Sequence, residues 1–209
     1  MAVNHPTGKA PRSVVVVSLG PTKNDYTSMM TAHEPEIVAD EVWTINTGLR
    51  WCVADLAFIM DDLLWYATRY PAYGDLLRKS RIPIITNRAY PEFPRAVEYP
   101  LAEVIDRVGE ESAYFHNSVP YVLAYALHIG VQKVTLFGCD YTFPGTTARE
   151  DDRANAEYWV GYLRASGVQV FVPSTTTLLS ARRGPYFYGY LRQPILKWAA
   201  KQALVELID

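Results

Sequence analysis

Ser13-Val14-Val15-Val16-Val17-Ser18-Leu19, stopped at Gly20-Pro21-Thr22, is the stretch from which the fold can be read. The run is β-branched, too short for a helix and apolar on both faces, as a central strand of a parallel sheet must be. Working outward, Glu41-Val42-Trp43-Thr44-Ile45 reads as a second strand ending at Asn46-Thr47-Gly48. Asp55 to Met60 reads as a third, ending at Asp61-Asp62, and Ile82 to Thr86 as a fourth. Pro83 inside that fourth run cannot donate to a ladder, which predicts an edge position or a pairing gap. Lys133 to Phe137 and Val168 to Val172 complete the strands. Between them, Val119, Val122, Leu123, Ala126 and Leu127 recur at helical spacing over Ser118 to Ile129, with Gly130 as the stop. Asn155 to Ala165 reads as a helix stopped by Gly167, and Gln193 to Leu207 as a final amphipathic helix packed on the body. Arg88 to Glu111, rich in proline and charge, yields no element.

Strands separated by helices need crossover connections. The expected fold is therefore α/β and Rossmann-like, a mostly parallel sheet with helices on both faces. With 209 residues, one large core is favoured. Residues 1–12 read as a flexible tail, and residues 13–209 as a single domain that includes the C-terminal helix.

Bulk properties narrow the function. A net charge of -2 gives no electrostatic reason to expect nucleic acid or an acidic membrane as partner. The two cysteines, Cys52 and Cys139, lie in apolar surroundings as buried thiols do, and no C-x-x-C pair suggests a metal or a redox cofactor. Met1 to Arg12 lacks the apolar core of a secretory signal, and no run is long enough to span a membrane, so a cytoplasmic location is expected. Fifteen tyrosines suit polar clefts, although most would serve simply to roof the sheet. An oligomer is compatible with all of this.

In open parallel sheets, ligands bind beyond the carboxyl ends of the strands, at a topological switch point. Those ends carry Gly20-Pro21-Thr22, Asn46-Thr47, Asp61-Asp62, Thr86-Asn87, Gly138-Cys139-Asp140 and Pro173-Ser174-Thr175. The turn at Gly20 sits where a phosphate loop would, with Thr22 and Lys23 in reach of an anion. It lacks the glycine pattern of either common phosphate motif, and an ordinary strand-ending turn explains it equally well. Asp61 is a candidate ligand for Mg²⁺, whereas Asp62 reads as the cap of a following helix. Asn117 or Ser118 can cap the next helix and leave N–H groups for a ligand. No histidine pair has metal-ligand spacing. His128 reads as structural, while His33 and His116 lie in loops as candidate acid/base groups. Arg182-Arg183-Gly184-Pro185-Tyr186-Phe187-Tyr188 suits either a phosphate or a docked helix. Thr142 to Arg153, polar and leaving from the proposed site, reads as a lid or a plain surface loop.

The block from Asn117 to Tyr141 resembles a signature segment of bacterial sialyltransferases that use CMP-linked donors. Motility-accessory-factor and 6-hydroxymethylpterin diphosphokinase-like proteins share it. In that segment a Ser-Gly start leads into an Ala-rich helix and then a strand ending Gly-x-Asp-Phe/Tyr, matched here by Ser118 and by Gly138, Asp140 and Tyr141. The Gly20-Pro21-Thr22-Lys23 turn, Asn46, the Asp55 to Asp61 strand and Ser174-Thr175-Thr176 are similar to the rest of the group's pattern. The resemblance implies that Gly20, Pro21 and Thr22 lie beside nucleotide phosphates and that Asn46 reaches the phosphate or sugar. Ser118 would contact the nucleoside, and Gly138, Asp140 and Tyr141 would line the same pocket. Two positions depart from the pattern. Val119 stands where the second residue is glycine, and no histidine follows His128, whereas the sialyltransferases carry a catalytic histidine downstream.

The resulting expectation is a transferase that moves a sugar from a nucleotide-sugar donor to an acceptor hydroxyl. Thr22, Asn46 and Arg182 would stabilise the departing phosphate, with Asp140 as the base. One alternative is pyrophosphoryl transfer from ATP, using Mg²⁺ held by Asp61 and Asp140. Another is a nucleotide-binding module without catalysis.

Overall fold

The computed structural model describes residues 5–32, 39–141 and 150–179. Seven strands, β1 (Ser13–Val17), β2 (Glu41–Ile45), β3 (Leu56–Ile59), β4 (Ile84–Thr86), β5 (Ala96–Glu98), β6 (Lys133–Phe137) and β7 (Gln169–Phe171), form one sheet in the order β5-β4-β3-β2-β1-β6-β7. Every pairing is parallel. The helices are α1 (Lys23–Thr31), α2 (Leu63–Arg69), α3 (Pro71–Arg78), α4 (Leu101–Val108), α5 (Ser118–Ile129) and α6 (Glu150–Ala165). None of the described helices is long and apolar enough to cross a membrane.

Strand alternation sorts the helices into two layers. Val14, Val16, Trp43, Leu56, Phe58, Val134 and Leu136 pack against residues of α4, α5 and α6. Val15, Val17 and Phe137 meet Tyr26 of α1, while Ala57, Ile59 and Ile84 meet Leu63, Tyr73 and Leu77 of α2 and α3. Nine of the twelve residues of α5 are buried, which marks it as the central helix rather than a surface one. The fold is the expected Rossmann-like sheet with helices on both faces.

Two expectations are corrected. β4 lies between β3 and β5, which excludes the edge position expected from Pro83 and leaves the pairing gap. Pro83 precedes the first paired residue, so its missing N–H falls outside the ladder, and its carbonyl still accepts from the Ala57 amide at 3.1 Å. The outer strand β5 lies in the proline-rich stretch that gave no sequence signal. The segment before β1, expected to be a flexible tail, is anchored at His5, which is 2% exposed. Its Nε2 donates to Glu41 at 3.0 Å, and Nδ1 then accepts from the Tyr125 hydroxyl at 3.0 Å. Trp43 Nε1 adds a 2.7 Å bond to the same carboxylate, and the Thr7 hydroxyl donates to it as well. The final helix expected over Gln193 to Leu207 lies outside the described residues.

Burial pushes the Glu41 carboxyl up, but the hydrogen bonds from His5, Thr7 and Trp43 outweigh it and hold the group below the usual carboxylate range. A depressed folded-state value contributes stability that is present above the unfolded value and is lost as pH falls through the folded one. Glu41→Gln should therefore cost about 1 kcal/mol at neutral pH and flatten the acid loss of stability. Urea unfolding of both proteins from pH 7 downward measures this, and parallel curves would contradict it.

Candidate functional site

The chain runs β1 to β5 toward one edge of the sheet, then returns to place β6 on the other side of β1. That reversal makes the carboxyl ends of β1 and β6 the switch point, where the following loops diverge and leave a crevice. Above it lies a cavity of about 370 Å³. Ser18, Leu19 and Gly20 line it from β1, Ile45 and Asn46 from β2, and Gly138, Cys139 and Tyr141 from β6. His116, Asn117, Ser118 and Val119 enter at the start of α5, Asp61 and Tyr66 around the start of α2, and Asp152 from α6.

The β1 and β6 ends are locked together. Ser18 N donates to Phe137 O at 2.8 Å, and Gly20 N donates to Gly138 O at 2.7 Å. Asp140 Oδ2 accepts from the Thr22 amide at 2.8 Å and the Thr22 hydroxyl at 2.9 Å, while Gly138 N donates to the Thr22 hydroxyl oxygen at 2.8 Å. No side chain fits between the two turns: a Cβ on Gly20 would meet Asp140 Oδ2 at 2.5 Å and Gly138 O at 2.6 Å. Close approach of two backbones is thus the reason for glycine here.

Asp140 and Thr22 hold this lock rather than face the cavity. They are 2% and 4% exposed, and neither lines it. This corrects the reading of Asp140 as a base and of Thr22 as a phosphate ligand. Pro21 and Ser174 are also outside the lining, both exposed on the surface. Arg182 lies outside the described residues, as does 142–149 of the proposed lid, whose remainder begins α6. The other candidate residues, Gly20, Asn46, Asn117, Ser118, Gly138, Tyr141 and Asp61, are brought together around one space.

Asn117, not Ser118, is the cap of α5. Its Oδ1 accepts from Val119 N at 3.1 Å and from the Tyr141 hydroxyl at 2.7 Å, and its Nδ2 donates to Asp152 O at 3.1 Å. The N-terminus of α5 faces the cavity through Ser118, where the helix dipole favours negative charge. Asn46 and Tyr141 adopt left-handed backbone, with φ of 51° and 50°. That geometry is tolerated by asparagine and costs a tyrosine about 1 kcal/mol or more. The Asn46 side-chain oxygen is buried and has no hydrogen-bond partner among the described residues. Burial and then the Asp61 carboxylate push the Tyr66 phenol above its ordinary value, so it remains a hydrogen-bond donor.

Asp61 reaches the cavity but Asp140 does not, which splits the pair expected to hold Mg²⁺. Among the described residues, no group of three or more His, Cys, Asp or Glu side chains gathers. Asp62 caps α2, as expected, accepting from Leu64 N at 2.8 Å and Trp65 N at 3.1 Å. Tyr66, His116 and Asp152 were not among the residues assigned to the pocket. His116 had a sequence signal as a loop histidine beside a helix start, and Asp152 lay in the stretch read as a lid.

By its fold the chain is a Rossmann-like protein of the kind found in bacterial sialyltransferases. It is similar to the sialyltransferase CstII from Campylobacter jejuni in complex with the substrate analogue CMP-3FNeuAc, with a TM-score of 0.54, 14% identity, and coverage of 80% of this chain and 82% of that one. A CstII structure with cytidine-5'-monophosphate gives 0.52, 15%, 80% and 82% in the same order. A variant described as an α-2,3/8-sialyltransferase gives 0.52, 15%, 80% and 84%. At such identities the likeness is one of fold. No protein-family model matches the chain, and no curated protein matches it significantly.

Proposed function

We propose that the chain binds a CMP-linked sugar in the β1/β6 cavity and transfers the sugar to an acceptor hydroxyl. The observation that carries this reading is the Asn46 oxygen, buried at the cavity that the N-terminus of α5 also lines and without a partner among the described residues. Leaving a buried acceptor unmade costs about 1–3 kcal/mol, a cost that a bound donor group removes. A sugar or nucleoside offers hydroxyl and amino donors to Asn46, and the start of α5 suits the phosphate. Two fold neighbours were solved with cytidine nucleotides.

Charge favours this donor over ATP. Among the described residues, the lining contains Asp61 and Asp152 and no lysine or arginine. A triphosphate brings several negative charges into that field, whereas a monophosphate diester brings one phosphate charge. Pyrophosphoryl transfer through a metal held by Asp61 and Asp140 is further disfavoured because Asp140 is buried and does not line the cavity.

Calorimetric titration with CMP, UMP, AMP and GMP, with and without Mg²⁺, tests the reading. CMP should bind most tightly, and Asn46→Ala should weaken it about tenfold, the equivalent of one lost hydrogen bond. Failure of all four nucleotides to bind would sink the proposal.

A further inference from the structure

We propose that His116 is the general base that takes the proton from the acceptor hydroxyl, an inference that rests on the glycosyl-transfer reading above. A hydroxyl attacking an anomeric carbon must lose its proton to a group in the cavity wall, and Asp140 cannot be that group because its carboxylate is buried against Thr22. Among the described residues, the titratable groups lining the cavity are Asp61, Tyr66, Cys139, Tyr141, Asp152 and His116. Tyr66 is held as a neutral phenol, the Tyr141 hydroxyl donates to Asn117, and burial pushes the Cys139 thiol well up. The remaining side chains are carboxylates, as a class weaker bases than an imidazole, whose strength suits proton transfer near neutrality.

The position of His116 is built rather than incidental. Its backbone amide donates to Asn155 Oδ1 at 2.7 Å, and Asn155, fully buried, donates from Nδ2 to Tyr114 O at 2.7 Å. Trp159 Nε1 donates to the same Tyr114 carbonyl at 2.6 Å. Phe115 is stacked between Tyr121 and Trp159, with ring centroids at 4.5 Å and 5.0 Å. The Tyr114 ring meets the imidazole edge to face at 4.8 Å. These contacts fix the backbone on both sides of a side chain that is itself exposed and lines the cavity.

In the step, the acceptor oxygen bonds to the anomeric carbon as the bond from that carbon to the phosphate oxygen breaks. The electron pair leaves with the nucleoside monophosphate. The hydroxyl proton passes to an imidazole nitrogen and is then lost to water.

The test uses the full chain with CMP-N-acetylneuraminate and lactose, following CMP release across pH, beside calorimetric binding of CMP. His116→Gln should lower kcat at least a hundredfold, remove the acid limb of the rate profile and leave CMP affinity within twofold. Added imidazole should restore part of the turnover of His116→Gly. Near wild-type turnover in His116→Gln, or loss of the acid limb in Asp61→Asn or Asp152→Asn instead, overturns the assignment. Wild-type CMP binding without CMP release also overturns it while leaving the nucleotide site intact. Absence of CMP binding is the failure of the underlying reading.

Discussion

Gly138→Ala should lower the unfolding free energy by about 3 kcal/mol and abolish CMP binding. Gly138 sits at φ 71°, and a Cβ there would come within 2.5 Å of the Ser18 carbonyl carbon. The left-handed backbone costs a non-glycine residue about 1–2 kcal/mol. Relieving the overlap costs about 1–3 kcal/mol more, because the obstacle is the backbone of β1 rather than a flexible side chain. The clamp from Ser18 to Phe137 and Gly20 to Gly138 must open to admit the methyl, and the cavity floor moves with it. Gly161→Ala is the control. That glycine lies within α6 with nothing within 4 Å of its added Cβ, so the change should be stabilising by about 0.5–1 kcal/mol. Urea unfolding of the two variants measures the contrast, and equal midpoints would refute the clamp.

Asp140→Ala should cost about 3 kcal/mol, and Asp140→Asn far less. The alanine strands two buried donors of Thr22 that now share Oδ2, and each charge-assisted bond is worth about 1.5–3 kcal/mol. The asparagine keeps an oxygen in place for Thr22. It therefore keeps turnover of a CMP-linked sugar within about tenfold, a change of about 1.4 kcal/mol. A base would behave in the opposite way, since an amide cannot accept the proton and turnover would vanish with the fold intact. Measuring the melting temperature and kcat of both variants separates a brace from a base.

The contrast shows what the sequence could carry. Glu41–Ile45, Ser118–Ile129 and Lys133–Phe137 were legible to the residue because each is long enough for apolar patterning to dominate. β5 was invisible: it has three residues, its side chains are half-buried or exposed, and β4 is its one strand neighbour in the sheet of the described residues. Pro83 left an edge and a pairing gap as alternatives because its effect depends on whether its nitrogen faces a partner, a matter of register. At the site, strand ends located the cavity, but not which way a carboxylate turns. Asp140 is polar, follows a strand and lies beside cavity residues, yet Thr22 draws it inward. Tyr66 comes from the middle of α2, and its approach depends on tertiary arrangement that no local pattern encodes.

The switch point also sets an order of events during synthesis. Ser13 of β1 pairs with Lys133 of β6, so the strand that emerges first waits for one made much later. Until then, β1 to β5 expose the valines of β1 as an open apolar edge, a surface prone to pairing with other chains. Closing so long a loop is slow, and the nascent protein depends on β6 to end that exposure. The pairing that creates the pocket is thus also the one that covers the open edge of β1.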